Sequence, residues 1–215
     1  PAAPGTATLE ARMIPPEDIT TPADALPDTG PRVLETALVG QLTGAGGFND
    51  TAAQWDIHGT DLGHMFWHED KLYMVFGDTF GPGGLGGSNW RSNVLARLAD
   101  PVPGEGLRIE AMITGPGGAA KELIPSRKIG GIEKTVIPTH GISIDGRMYL
   151  HYMSVRRWGK HGQWDVRHSG FAYSDDDGRT WAVPRSAITP GGSGFEQVAL
   201  VQGESHVYTL GIPEG

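Results

Sequence analysis

A repeated unit constrains the fold of this chain more than any other feature. HMFWHEDKLYMVFG (64–77), HGISIDGRMYLHYM (140–153) and VALVQGESHVYTLG (198–211) each run as an apolar strand, a tight polar turn and an aromatic-centred strand. Tyr73, Tyr149 and Tyr208 fall at the same place in each unit, at intervals of 76 and 59 residues. That spacing is too irregular for a solenoid but fits successive blades of a β-propeller joined by loops of variable length. In the middle unit Asp145-Gly146 predicts a two-residue type I′ turn, because both central residues of such a turn need positive φ. No segment longer than about ten residues keeps a helical period, so helix is expected to be nearly absent. The 33 glycines and 16 prolines among 215 residues also point to many turns.

A second signature lies between these hairpins. In YSDDDGRTW (173–181), Ser174, Asp176, Gly178, Thr180 and Trp181 match the Asp-box of sialidase-like propellers at every defining position. There the aspartate ties the turn's amides, the glycine takes a positive-φ corner and the tryptophan packs between sheets. Asp176 is therefore read as structural. Residues 92–109 read as a degenerate equivalent in the preceding unit.

Residues 1–32 contain seven prolines and little apolar periodicity, and are expected to form an extended arm or linker ahead of a domain over 33–215. Three blade-like units are fewer than the four that closure requires. An unclosed propeller would leave long sheet edges exposed. The chain is therefore expected to be an incomplete propeller, with its closing blades missing or on a second polypeptide.

The net charge of −8 argues against nucleic acid and anionic membranes, both of which call for a positive field. A neutral ligand such as a glycan is compatible with it. With no cysteine there is no disulfide, thiolate nucleophile or Cys-ligated zinc. No apolar run approaches the roughly 20 residues of a membrane span, so membrane insertion is not expected. The opening PAAPGTATLE has neither an initiator Met nor a signal pattern, and reads as a mature or trimmed terminus compatible with export.

The candidate chemistry starts in GTDLGHMFWHEDKLYMVFGDTF (59–80). With Glu69-Asp70 as the turn, paired positions sum to 139, which sets Asp61 opposite Asp78 at the open end of the hairpin. Two adjacent carboxylates repel, so one holds its proton while the other ionises. The plain alternative is that each aspartate caps a turn beside its glycine. Superposing Tyr208 on Tyr73 places Glu196 at the position of Asp61, whereas the middle unit has Ile137 there. Arg156, Arg157 and Trp158 follow the corresponding strand of the middle unit, where they would contact sugar hydroxyls and stack on a ring; an exposed arginine and a core tryptophan are the alternatives. His140 and His151 should pair across the Asp145-Gly146 hairpin, leaving a structural metal ion in the channel or a polar ligand contact open as readings. His64 and His68 lie on a strand without a metalloprotease pattern. GPGGLGG (81–87) lacks the lysine and helix of a phosphate loop and reads as a flexible rim beside Asp78. No cofactor is expected.

GTDLG, KLYMVFGDTF, SNVLA, IPTHGISIDGRMYLHYMSVRRWG and SGFAYSDDDGRTW together resemble an actinobacterial family of endo-D-arabinanases, glycoside hydrolases that act on mycobacterial-type arabinan. The resemblance covers about residues 33–215. It implies a five-bladed propeller, a secreted or cell-wall location, and essential acids at Asp61 and Asp78. The resulting expectation is cleavage of internal α-D-arabinofuranosyl linkages in cell-wall arabinan by Asp61 and Asp78. Glu196, Arg156, Trp158 and His140 would contact the polysaccharide, with no metal in the chemistry. Cross-strand carboxylates lean towards a retaining mechanism. A non-catalytic glycan-binding module and a scaffold domain are the competing expectations.

Overall fold

Short apolar runs separated by Gly, Asp and Asn turns produce antiparallel sheet almost throughout. The computed structural model describes residues 38–102, 104–160 and 163–212. The expected arm over 1–32 lies outside them. A five-residue helix, α1 (Thr51–Trp55), leads into β1 (Gly59–Thr60). Strands β2 (His64–His68) and β3 (Lys71–Phe76) follow, and β4 (Thr79–Phe80) pairs back with β1. The first sheet is completed by β5 (Val94–Leu98) and β6 (Ile109–Met112), in the order β2-β3-β5-β6. The second contains β7 (Thr135–Ile144), β8 (Arg147–Trp158), β9 (Trp164–Ser174) and β10 (Ile188–Pro190), again each beside the next. The last pair, β11 (Val198–Gln202) and β12 (Val207–Gly211), forms a two-stranded sheet.

All three repeats are hairpins. His68 pairs with Lys71 across Glu69-Asp70, as the register sum requires. Ile144 pairs with Arg147, with Asp145 at φ 50° and Gly146 at φ 75°, the backbone of a type I′ turn. The third turn is wider, Gln202 pairing with Val207 across four residues. The tyrosines occupy equivalent places but unequal surroundings: Tyr73 is buried, whereas Tyr208 is 56% exposed.

The first strands β2, β7 and β11 lie side by side, β7 in the middle. Between the first two sheets, Phe66, Tyr73, Val75 and Leu95 pack on Val136, Met148, Leu150 and Ala172. The sheets approach closely where Phe66 lies on Gly141; a Cβ there would collide with the ring. On its other face the first sheet packs Leu72, Met74, Phe76 and Val94 against Ile57, Trp55 and Leu42. Buried Asn93 fastens the sheets together. Its Nδ2 donates to the carbonyls of Ile124 and Val136, and its Oδ1 accepts the amides of Leu123 and Ile124.

The Asp-box turn has the geometry its sequence predicts. Asp176 accepts hydrogen bonds from Ser174 Oγ at 2.8 Å, Thr180 N at 2.8 Å and Thr180 Oγ1 at 2.7 Å. Gly178, at φ 81°, packs on Leu95 of the first sheet, and Trp181 closes the turn by donating to the Gly178 carbonyl. In the first sheet the described residues between β5 and β6, 99–102 and 104–108, make the equivalent connection from third to fourth strand.

Candidate functional site

The hairpin that holds the two aspartates is not continuous. Leu62 at φ 59° and Gly63 at φ 139° interrupt the strand between β1 and β2. A leucine in the left-handed region is strained, and its cost must be offset by surrounding contacts. The register nevertheless survives the interruption: Asp61 N donates to the Asp78 carbonyl at 3.2 Å, and Gly77 N donates to the Asp61 carbonyl at 3.1 Å. Two residues thus face Asp61 across the strands, as in a bulge. The Asp61 carboxylate lies directly over Gly77, where any Cβ would strike Oδ1.

The bulge gives the two acids different surroundings. Asp61 keeps solvent access on one side, whereas Asp78 is only 6% exposed. Asp78 Oδ1 accepts Trp90 Nε1–H at 2.8 Å and the Thr135 hydroxyl at 2.5 Å. Trp90 stacks on Phe80 at 5.9 Å between ring centroids and carries Lys128 Nζ 4.6 Å from its own. Lys128 in turn ion-pairs with Glu122 and donates to Ser92 Oγ. Burial, and secondarily the charge of Asp78, push Asp61 up to about 6 from an ordinary 3.8. Burial also raises Asp78, opposed by its bonds from Thr135 and Trp90 and by the charges of Lys128 and Lys134.

Asp61 stands at the wall of a cavity of about 650 Å³. The cavity is bounded by the starts of all three first strands: Asp61 and His64, Ile137 and Thr139, and Gln197 and Val198. Trp158 and Trp164 stand on its rim, paired across the β8–β9 ends, with ring centroids 6.4 Å apart and planes at 87°. Ile137, the sequence equivalent of Asp61 in the second unit, lines the same cavity. Glu196 does not; its Oε1 accepts the Ser193 amide at 2.8 Å, and its neighbour Gln197 lines the wall.

Arg156 and Arg157 both pair with Asp165, at 3.6 and 3.3 Å, and lie outside the cavity lining. His140 pairs with His151 across the hairpin as expected, and its ring lies 5.6 Å from that of His64. Burial lowers all three; for His151, which bonds Thr139 Oγ1 through Nδ1 at 2.6 Å, the value falls to about 4. Among the described residues no group of three or more His, Asp or Glu side chains is disposed to hold a metal ion. His68 is buried, bonded to Ser143 Oγ and facing Asp177 at 3.4 Å, a tie between sheets. The 81–87 loop runs past Gly59 rather than along the cavity. Sequence reasoning missed Trp90, Lys128, Thr135 and Trp164. Only the last had a visible signal, its cross-strand pairing with Trp158.

Consecutive antiparallel sheets, with Asp61 at the wall of a shared cavity and Asp78 buried behind it, define an all-β protein with a polar-tipped cleft. The chain belongs to the family described as Domain of unknown function (DUF4185), whose model matches residues 46–215. No curated protein matches the chain. Among the described residues no helix is long and apolar enough to cross a membrane.

Proposed function

We propose that the chain is the greater part of a five-bladed β-propeller glycoside hydrolase that cleaves internal α-D-arabinofuranosyl linkages of mycobacterial-type cell-wall arabinan. The observation that carries this reading is the unequal carboxyl pair, Asp61 at the cavity wall and Asp78 buried behind it. Protonated Asp61 gives its proton to the leaving glycosidic oxygen as the C–O bond breaks, and anionic Asp78 opposes the positive charge that develops at the anomeric carbon. A water then adds its oxygen to that carbon and gives one proton to the Asp61 carboxylate, which restores the pair to its starting state. Trp158 and Trp164 offer apolar faces to furanose rings. The side-by-side first strands of two successive four-stranded meanders and the hairpin that follows support the propeller. A secreted or cell-wall location, and completion of the fold by a second polypeptide segment, belong to the same proposal.

One observation favours a second reading. Asp78 does not line the cavity, and a glycan-binding module needs no second acid at its surface. Digestion of arabinogalactan by the wild type, Asp61→Asn and Asp78→Asn, followed by chromatography of the products, separates the two. The hydrolase releases oligosaccharides, and either substitution lowers that release at least about 100-fold, the scale of a lost general acid. Saturable binding with no new reducing ends identifies the binding module.

A further inference from the structure

We propose that Trp90 and Lys128 are positioning residues that hold Asp78 as the anion of the pair, so that the proton stays on Asp61 at the cavity. The inference rests on the acid–base reading of Asp61 and Asp78 for its purpose, but its geometry stands apart from any substrate.

Two separate elements converge on one oxygen of Asp78. Trp90, just ahead of β5, and Thr135, the first residue of β7, both donate to Oδ1. Oδ2 accepts no hydrogen bond among the described residues, yet it is not among their fully enclosed unpaired atoms, which are Arg91 Nε and Ser169 Oγ. One oxygen is therefore fixed by two donors and the other carries none of these bonds. Both bonds are stronger to a carboxylate than to the carbonyl oxygen of a neutral carboxyl, so the two donors favour the ionised form.

Trp90 is itself held. Its ring stacks on Phe80, and Lys128 Nζ lies within cation–π range of it. A cation over the indole withdraws density from the ring and makes its N–H a stronger donor to Asp78. Lys128 reaches that place because Glu122 and Ser92 grip its ammonium group, and Glu122 is anchored by the Ser92 amide at 2.7 Å. The remaining charges facing Asp78 are Asp61 from the end of β1 and Lys134 from the segment before β7. Glu122 stands behind Lys128 and is neutralised by it. The positive groups outnumber the negative ones on the Asp78 side, and none donates to Asp61.

The test is a pH titration of both carboxyl carbons by NMR in the wild type, Trp90→Phe, Lys128→Met and Lys128→Arg. Trp90→Phe should raise the Asp78 midpoint by roughly one unit, the scale of one lost hydrogen bond to a charged group. The Asp61 midpoint should fall, because the two acids titrate as a coupled pair and less negative charge then stands beside Asp61 as it ionises. Lys128→Met should shift both in the same directions by less, and Lys128→Arg should restore wild-type behaviour. Unchanged midpoints in folded Lys128→Met and Trp90→Phe would overturn the proposal. Because Lys128 touches neither acid, that variant remains informative if Trp90→Phe fails to fold. The titration needs no turnover, so a protein that cleaves no arabinan but shows these shifts would refute the hydrolase reading and leave this one standing.

Discussion

At the scale of single residues, the site depends on one backbone irregularity. Leu62 and Gly63 break the strand, Gly77 offers a surface without a side chain, and the Asp61 carboxylate settles over it. The folded protein holds the Asp61 proton more tightly than the unfolded chain, whose carboxyl titrates near 3.8. Stability is therefore fully present below that value and falls as pH rises towards about 6, where ionising Asp61 costs the folded state. Asp61→Asn should unfold later than the wild type at pH above about 6, by on the order of 1 kcal/mol once the solvent on its open side is allowed for. The gain should vanish near pH 4 in thermal scans, which is the check on its cause. If Asp61 is the acid, kcat/KM on arabinan should decline as pH rises through about 6.

At the scale of elements, hairpins and turns were the most legible parts of the sequence because their rules are local. The pairing of His68 with Lys71, the Asp145-Gly146 turn and the Asp-box are each fixed by a few neighbouring residues. Replacing Asp176 by Ala removes three hydrogen bonds from a turn remote from the cavity. It should cost about 1–2 kcal/mol in urea unfolding and leave ligand binding unchanged. The opposition of Asp61 and Asp78 was legible in the same way, through the register sum. Their unequal burial was not, since a bulge at Gly77 has no counting signature. Glu196 shows a related limit: superposing the tyrosines sets it at the place of Asp61, and the hairpin registers agree, Tyr73 opposite Phe66 and Tyr208 opposite Val201, yet it is the neighbouring Gln197 that lines the cavity.

At the scale of the molecule, what the sequence concealed lies between sheets. Trp90, Lys128 and Thr135 come together only when the first two sheets dock, and no local pattern marks them. The docking contact itself rests on Gly141. Gly141→Ala should push Phe66 and part the sheets, costing about 1–3 kcal/mol in denaturant unfolding, and should also weaken the Thr135 bond to Asp78. An Asp78 midpoint that stays at the wild-type value in this variant would separate packing from the site.

The bond from Thr135 to Asp78 also has a kinetic meaning. Hairpin contacts such as His68 with Lys71 close loops of two residues, whereas that bond spans 57. Short loops close first, and distant pairings wait on the search for one another. A refolding chain should recover its far-ultraviolet circular dichroism before the infrared carboxylate band of Asp78 reaches its native position. The polar centre would then be the last part of the molecule to mature, and the lag between the two signals would time the meeting of the sheets.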